Sequence, residues 1–164
     1  MRTRRIAHRI VAATAAWAVV VLLAPFAASS ESTDVVVAVH RDVPVDGLTM
    51  TELRRIVLGD REFWPGSVRV TLLLRAPVSH ERDVVLNHLA QMSEAQFRQH
   101  WIGKVFRADT AVAPKIVYSP EMSVDLVNRM PGAITFIDFS NATRSLKVVK
   151  IDGKLPGEAG YPLR

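Results

Sequence analysis

Five apolar residues in a row, Val35-Val36-Val37-Ala38-Val39, stand between Asp34 and His40. A continuous β-branched run with polar ends predicts a central strand covered on both faces, so helices must flank it. The first helix is expected to open at Thr49. Thr49-Met50-Thr51-Glu52 has capping-box spacing, Leu48 and Leu53 occupy the staple positions, and Leu53, Ile56 and Val57 supply a helical stripe that Gly59 stops. A loop around Trp64-Pro65-Gly66 leads to a second apolar strand over residues 68–74, ending at Arg75. Strand and helix alternate from the start.

Ser79 is placed to cap a helix carrying Val85, Leu86 and Leu89, and Ser93-Glu94-Ala95-Gln96 repeats the capping box with Met92 and Phe97 as its staple. The helix that follows sets Phe97, Trp101 and Val105 on one face. Residues 108–118 lack helical period and read as a loop with a short extended piece at Ile116-Val117-Tyr118. Ser119 and Pro120 start a last helix carrying Val124, Val127 and Met130, and Pro131-Gly132 ends it before the strand at residues 133–137. Residues 146–151 read as one half-exposed strand and residues 152–164 as a loop-like tail. The order β-α-β-α-α-α-β-β predicts an α/β domain with a small, mostly parallel or mixed sheet flanked by helices.

Charge changes the picture only at the N-terminus. The formal net charge of the 164 residues is +5, yet Arg2, Arg4, Arg5 and Arg9 precede the first acidic residue, Glu31. An uncharged stretch from Ile10 to Ser30 follows, with Pro25 near its end and small residues at Ala27 and Ser29. This is the layout of a secretory signal of the general export route, predicting a signal peptide over residues 1–29, a mature domain over residues 30–164, and a periplasmic or secreted location. The alternative is a retained N-terminal membrane anchor, since about 20 apolar residues span a bilayer. Removing residues 1–29 takes away four arginines and no acid, leaving 17 basic against 16 acidic residues and a net charge of +1. Nucleic acid is excluded as a partner on that ground, because non-specific affinity rests on clustered cations.

Candidate chemistry is sparse. The chain has no cysteine, which excludes a thiol nucleophile and disulfides. The glycines do not fall at the spacings of a serine-hydrolase elbow, a phosphate loop or a dinucleotide fingerprint. His40, His80, His88 and His100 lack the short spacing that puts two metal ligands on one helix face, so they read as surface or helix-end residues and no metal is expected. Asp34, Asp42, Asp60 and Asp138 mark element ends, and Trp64, Phe97 and Trp101 read as core. No enzyme and no cofactor is expected. One constellation stands out: a strand ends at Arg75 and Ser79 begins a helix four residues later. Helix N-termini carry unpaired N–H groups and the positive end of the dipole, so a serine cap beside an arginine forms a cradle for an anion.

The ordered set Ile56-Val57-Leu58-Gly59, Trp64, Arg75, Ser79 and Pro131-Gly132-Ala133-Ile134 resembles the solute-binding proteins of phosphate ABC transporters over residues 35–150. The resemblance implies one lobe of a type II periplasmic-binding-protein-like fold, of the short single-lobe kind. It also implies a ligand, phosphate or a similar oxyanion, held by Arg75, Ser79 and the backbone N–H of His80. His80 and Glu81 stand where that family has glycine and threonine, exchanging a hydroxyl donor for a carboxylate, and Thr135-Phe136 stands where it has Gly-Tyr. One lobe offers half a cleft, so a homodimer mate, an envelope protein or a transporter partner would supply the remaining donors. The other reading is an envelope interaction module that has lost anion binding.

Overall fold

The computed structural model describes residues 33–164, so the signal or anchor expected over residues 1–29 lies outside the described residues. β1 is Val35–Val39, with every residue buried. β2 (Gly47–Leu48) leads into α1 (Met50–Val57), whose N-terminus carries the expected capping box: Thr49 Oγ1 accepts from Glu52 N, and the Glu52 carboxylate accepts from Thr49 N. Hydrogen bonds to the Glu52 carboxylate from Thr49 N and Thr49 Oγ1, followed by the nearby Arg61, hold it below its ordinary range. Just past the Leu58 cap of α1, Gly59 has φ +72° and a Cβ there would sit 2.6 Å from the Trp101 ring, so close packing as well as the turn requires glycine.

β3 is Thr71–Arg75, shorter than expected. Residues 68–70 instead close a loop in which Phe63 bridges Arg69 and Val70 N donates to the Glu62 carbonyl. α2 (His80–Val84) runs directly into a π-helical segment, Val85–Ala90, a widening of the helix with no signal in the sequence. α3 (Glu94–Phe106) has its own capping box on Ser93 and buries Phe97 and Trp101. Val105 was expected on that same face and is instead 44% exposed; eight residues from Phe97, it has rotated past the core-facing stripe of a straight helix. β4 is Lys115–Val117, α4 is Pro120–Arg129 under a Ser119 cap, and β5 is Ala133–Asp138.

The strand expected over residues 146–151 is two strands. β6 (Lys147–Val148) pairs with β1, and β7 (Lys150–Ile151) leaves the sheet to pair in parallel with β2. The main sheet runs β4-β3-β5-β1-β6 and is mixed: β3 is parallel to both β4 and β5, and β1 is antiparallel to both β5 and β6. Alternation along the strands builds two layers of core. Leu72, Leu74, Ile134, Phe136, Val35, Val37 and Val39 face the larger one with Leu53, Ile56, Leu89, Phe97 and Trp64. Leu73, Val117 and Ala133 face the smaller one with Val127 of α4. This is the expected α/β arrangement, with helices on both sides of the sheet.

The tail at residues 152–164 has no regular structure, as expected, yet it is part of the core. Leu163 and Tyr161 are buried, Val35 N donates to the Leu163 carbonyl at 2.9 Å, and Tyr161 Oη donates to the Val35 carbonyl at 2.8 Å. Asp34, read as a turn residue, is buried: it accepts from Gly157 N at 2.6 Å and pairs with Arg164 at 2.8 Å. Burial, and then the nearby Asp34 charge, push the Tyr161 phenol well above its ordinary range. The folded chain therefore keeps Tyr161 neutral where the unfolded chain ionises it, and stability present below about pH 10 is lost as the pH rises. Urea unfolding at about pH 9 and about pH 11 should show a larger alkaline loss in the parent than in Tyr161→Phe, which cannot ionise.

Candidate functional site

β3, β4 and β5 run the same way, so their C-terminal ends lie along one edge of the sheet, where α/β folds place ligands. Arg75 ends β3, Val117 ends β4 and Asp138 ends β5. The helices that follow the first two strands both begin at this edge under serine caps. Ser79 Oγ accepts from Arg82 N at 3.3 Å, and Ser119 Oγ accepts from Met122 N at 3.1 Å. Two helix N-termini thus flank the end of β3, but only α2 has open first-turn N–H groups: in α4, Pro120 has none, Glu121 N is bonded to its own carboxylate and Met122 N to Ser119 Oγ.

The sequence-predicted residues come together here, with a partner for each. Arg75, 13% exposed in its side chain, has Nε 3.3 Å from Glu81 Oε1, and its Nη1 donates to the Val117 carbonyl at 3.5 Å. Glu81 is 3% exposed and turned inward. Glu81 therefore lies at ion-pair distance from the guanidinium without an aligned hydrogen bond, and the buried Arg75 Nε has no acceptor among the described residues. Arg82 does not relieve the Glu81 charge: its guanidinium donates to both oxygens of Glu94, at 3.0 and 2.9 Å, and lies over the Phe97 ring. His80 is exposed and its Nδ1 lies 2.6 Å from Asp138 Oδ1. Its backbone N–H belongs to the first turn of α2, where no helical acceptor exists. The Ser79 hydroxyl, accepting from Arg82 N, keeps its own proton to donate.

Two residues of this edge escaped the sequence reading. Glu121, in the first turn of α4, is held below the ordinary carboxylate range by hydrogen bonds from Ser119 and its own backbone and, more weakly, by Arg75. Asp138 was read only as the end of a strand. Both join the site through the parallel pairing of β3 with β4 and β5, a relation between segments far apart in sequence. His40, expected at the surface, is buried, with its Nδ1 accepting from Asp42 N at 3.2 Å. Among the described residues no group of three or more His, Cys, Asp or Glu is placed to hold a metal, and no helix is long and apolar enough to cross a membrane.

Chemically, the edge offers one guanidinium, one imidazole, a serine hydroxyl and the open N–H groups at the start of α2, set among the carboxylates of Glu81, Glu121 and Asp138. It suits recognition of hydrogen-bonding or charged groups.

No protein-family model and no curated protein matches the sequence. Solved structures do match the fold. A chain from Clostridium perfringens, assigned as a phosphate ABC transporter substrate-binding protein and holding bound phosphate, aligns at TM-score 0.61 and 21% identity over 75% of this chain and 46% of its own. An ABC-type phosphate transport receptor from Vibrio cholerae aligns at TM-score 0.61 and 21% identity over 75% of this chain and 48% of its own. PstS from Borrelia burgdorferi aligns at TM-score 0.64 and 14% identity over 79% and 53%. The chain spans about half the length of these structures. Its described residues therefore have the fold of a single lobe of the phosphate ABC transporter substrate-binding proteins, as the order of its sequence motifs implies.

Proposed function

We propose that this chain is an exported solute-binding-like lobe that recognises phosphate or a related oxyanion in a phosphate-uptake context. The site is Arg75, the Ser79 hydroxyl and the backbone N–H of His80. One observation carries the reading: Arg75, at the C-terminal edge of parallel strands beside a serine-capped helix, already holds an anionic group, the Glu81 carboxylate at 3.3 Å. The internal carboxylate occupies the cradle until an incoming anion or a partner displaces it. Because one lobe supplies only half a cleft, a second set of donors comes from a homodimer mate, an envelope protein or a transporter component.

A second reading has its own support. Glu81, Glu121 and Asp138 outnumber Arg75 and His80 at this edge, and such a balance opposes a dianion. At an effective dielectric of 20, a unit negative charge about 6 Å from a dianion costs about 5 kcal/mol before screening. On this reading the lobe is an envelope interaction module that has given up anion binding.

Calorimetric titration with phosphate and sulfate separates the two. Glu81→Thr restores a hydroxyl and removes the nearest repulsion, so it should tighten phosphate binding by about tenfold or more. Arg75→Ala added to Glu81→Thr should abolish the gain. A Glu81→Thr chain that binds phosphate no better than the parent rules out the cradle as an anion site and leaves the interaction module. The Ser79 cap is untouched in these variants, so the roughly 1 kcal/mol that a cap contributes does not enter the comparison.

A further inference from the structure

The outer face of α3 and the chain leading into β4 frame an open groove of about 780 Å³, walled by Pro77, Phe97, Ile102, Val105, Phe106 and Ile116. Phe106 of the wall is 90% exposed, and in the chain next to the lining residues Pro77 and Ile116 the apolar Val78 and Tyr118 are 96% and 75% exposed. Val78 follows Pro77 and has φ +70°. A β-branched residue in the left-handed region is strained, and such strain clusters at functional sites. At 96% exposure the side chain recovers none of that cost by burial within the chain.

The polar groups of the groove share one character. Arg82 and Trp101 both line it, and Arg82 Nη1 and Trp101 Nε1 are buried without a hydrogen-bond acceptor among the described residues. Arg98 also lines it, and Lys115 begins the neighbouring β4; both are exposed, and neither has an ion-pair partner among the described residues. Glu94, the acid of the lining, already has both oxygens on Arg82. The groove thus presents the exposed cation Arg98, with Lys115 beside it, in an apolar wall, and the two buried donors beneath add no acceptor of their own. Along α3, Arg98, Ile102, Val105 and Phe106 follow helical spacing, the pattern of a surface that receives another helix.

We propose that this groove docks an amphipathic helix of another protein, one that presents aliphatic side chains flanked by carboxylates. Charge argues against the other occupants. A second copy would bring Arg98 and Lys115 of both chains together, and the apolar N-terminal stretch of this chain carries four arginines and no acid before Glu31. The inference is independent of the oxyanion reading, because it uses neither Arg75 nor Glu81; a Glu81→Thr chain that fails to bind phosphate leaves it standing.

The test uses a fluorescent helical peptide with leucines at i, i+3, i+4 and i+7 and glutamates on the flanks, beside a twin with lysine in place of each glutamate. The glutamate peptide should bind at least about tenfold more tightly than its twin, and Arg98→Glu/Lys115→Glu should reverse the preference. Equal binding of the twins, no binding, or a preference unchanged by the reversal overturns the proposal. Both substituted residues are exposed, so an unchanged unfolding midpoint verifies the fold. In cells, a photo-cross-linking residue in place of Phe106 adds a second readout. An adduct with another protein that disappears in the Arg98→Glu/Lys115→Glu chain is expected; an adduct only with a second copy, with residues 1–32 or with lipid overturns the assignment.

Discussion

Replacing Gly132 by alanine is expected to lower the unfolding free energy by about 4 kcal/mol or more, among the largest effects a single residue produces. Gly132 has φ +75°, and a Cβ there would fall inside contact distance of the Arg69 carbonyl oxygen, with Val68 Cγ1 at 3.0 Å. A left-handed backbone alone costs an alanine about 1–2 kcal/mol. The clash is with backbone, which cannot rotate away, so the turn between α4 and β5 must move. That turn is tied on both sides: the Gly132 carbonyl accepts from Thr71 N at 3.0 Å and from the buried Trp64 Nε1 at 2.9 Å. Moving it breaks the start of the β3–β5 pairing and strips the indole of its acceptor. Domains are stable by about 5–15 kcal/mol, so the variant should unfold at much lower urea or fail to accumulate. Gly153→Ala is the control. Its φ is +79° with nothing within 4 Å of a Cβ, so it bears the conformational cost alone. Equal losses from the two variants would show that the close approach of Arg69 contributes nothing.

Arg75→Ala is expected to cost about 3–5 kcal/mol, because it leaves Glu81, 3% exposed, as a buried charge without its counter-ion. Arg75→Ala/Glu81→Met should recover most of that loss, since replacing both members of a buried pair by apolar groups is close to neutral. Urea unfolding free energies of the parent, Arg75→Ala, Glu81→Met and the double variant give the coupling energy. A coupling below about 1 kcal/mol would mean that the pair behaves as a surface ion pair and does not tie α2 to the end of β3. On the proposed oxyanion reading the coupling also bears on recognition, because an incoming oxyanion would compete with Glu81 for the same guanidinium. A strong pair makes the cradle selective for ligands that bring further donors with a partner.

Local signals were legible wherever the chemistry is local. The caps at Thr49, Ser79, Ser93 and Ser119 formed at the expected residues, since each needs only a hydroxyl and an N–H three residues on. The run at residues 35–39 formed a fully buried strand because it carries no polar side chain to present to water. Arg75 and Ser79 lie at a strand end and a helix start as their spacing required.

Local pattern in the sequence thus accounts for the four capped helix starts, the strands at residues 35–39, 71–75 and 133–138 and the arginine beside a capped helix. Tertiary structure alone decided the rest. Whether β1 runs with or against its neighbours depends on long-range pairing, and a uniformly apolar strand carries no mark of direction. The division of residues 146–151 between two sheets depends on β2, a two-residue strand too short to leave a pattern. Tyr161 and Leu163 are core because β6 pairs only with the end of β1, at Ala38 and Val39, and leaves the Val35 backbone open to a tail that has no periodicity of its own. The character of the candidate site was settled the same way. Sequence placed a carboxylate at residue 81, but only the packing of α2 against β3 turned it inward onto Arg75, and only the parallel pairing of β3, β4 and β5 brought Glu121 and Asp138 to the same edge. Charges separated by tens of residues interact through space, and their sum at a site is fixed by the fold that gathers them.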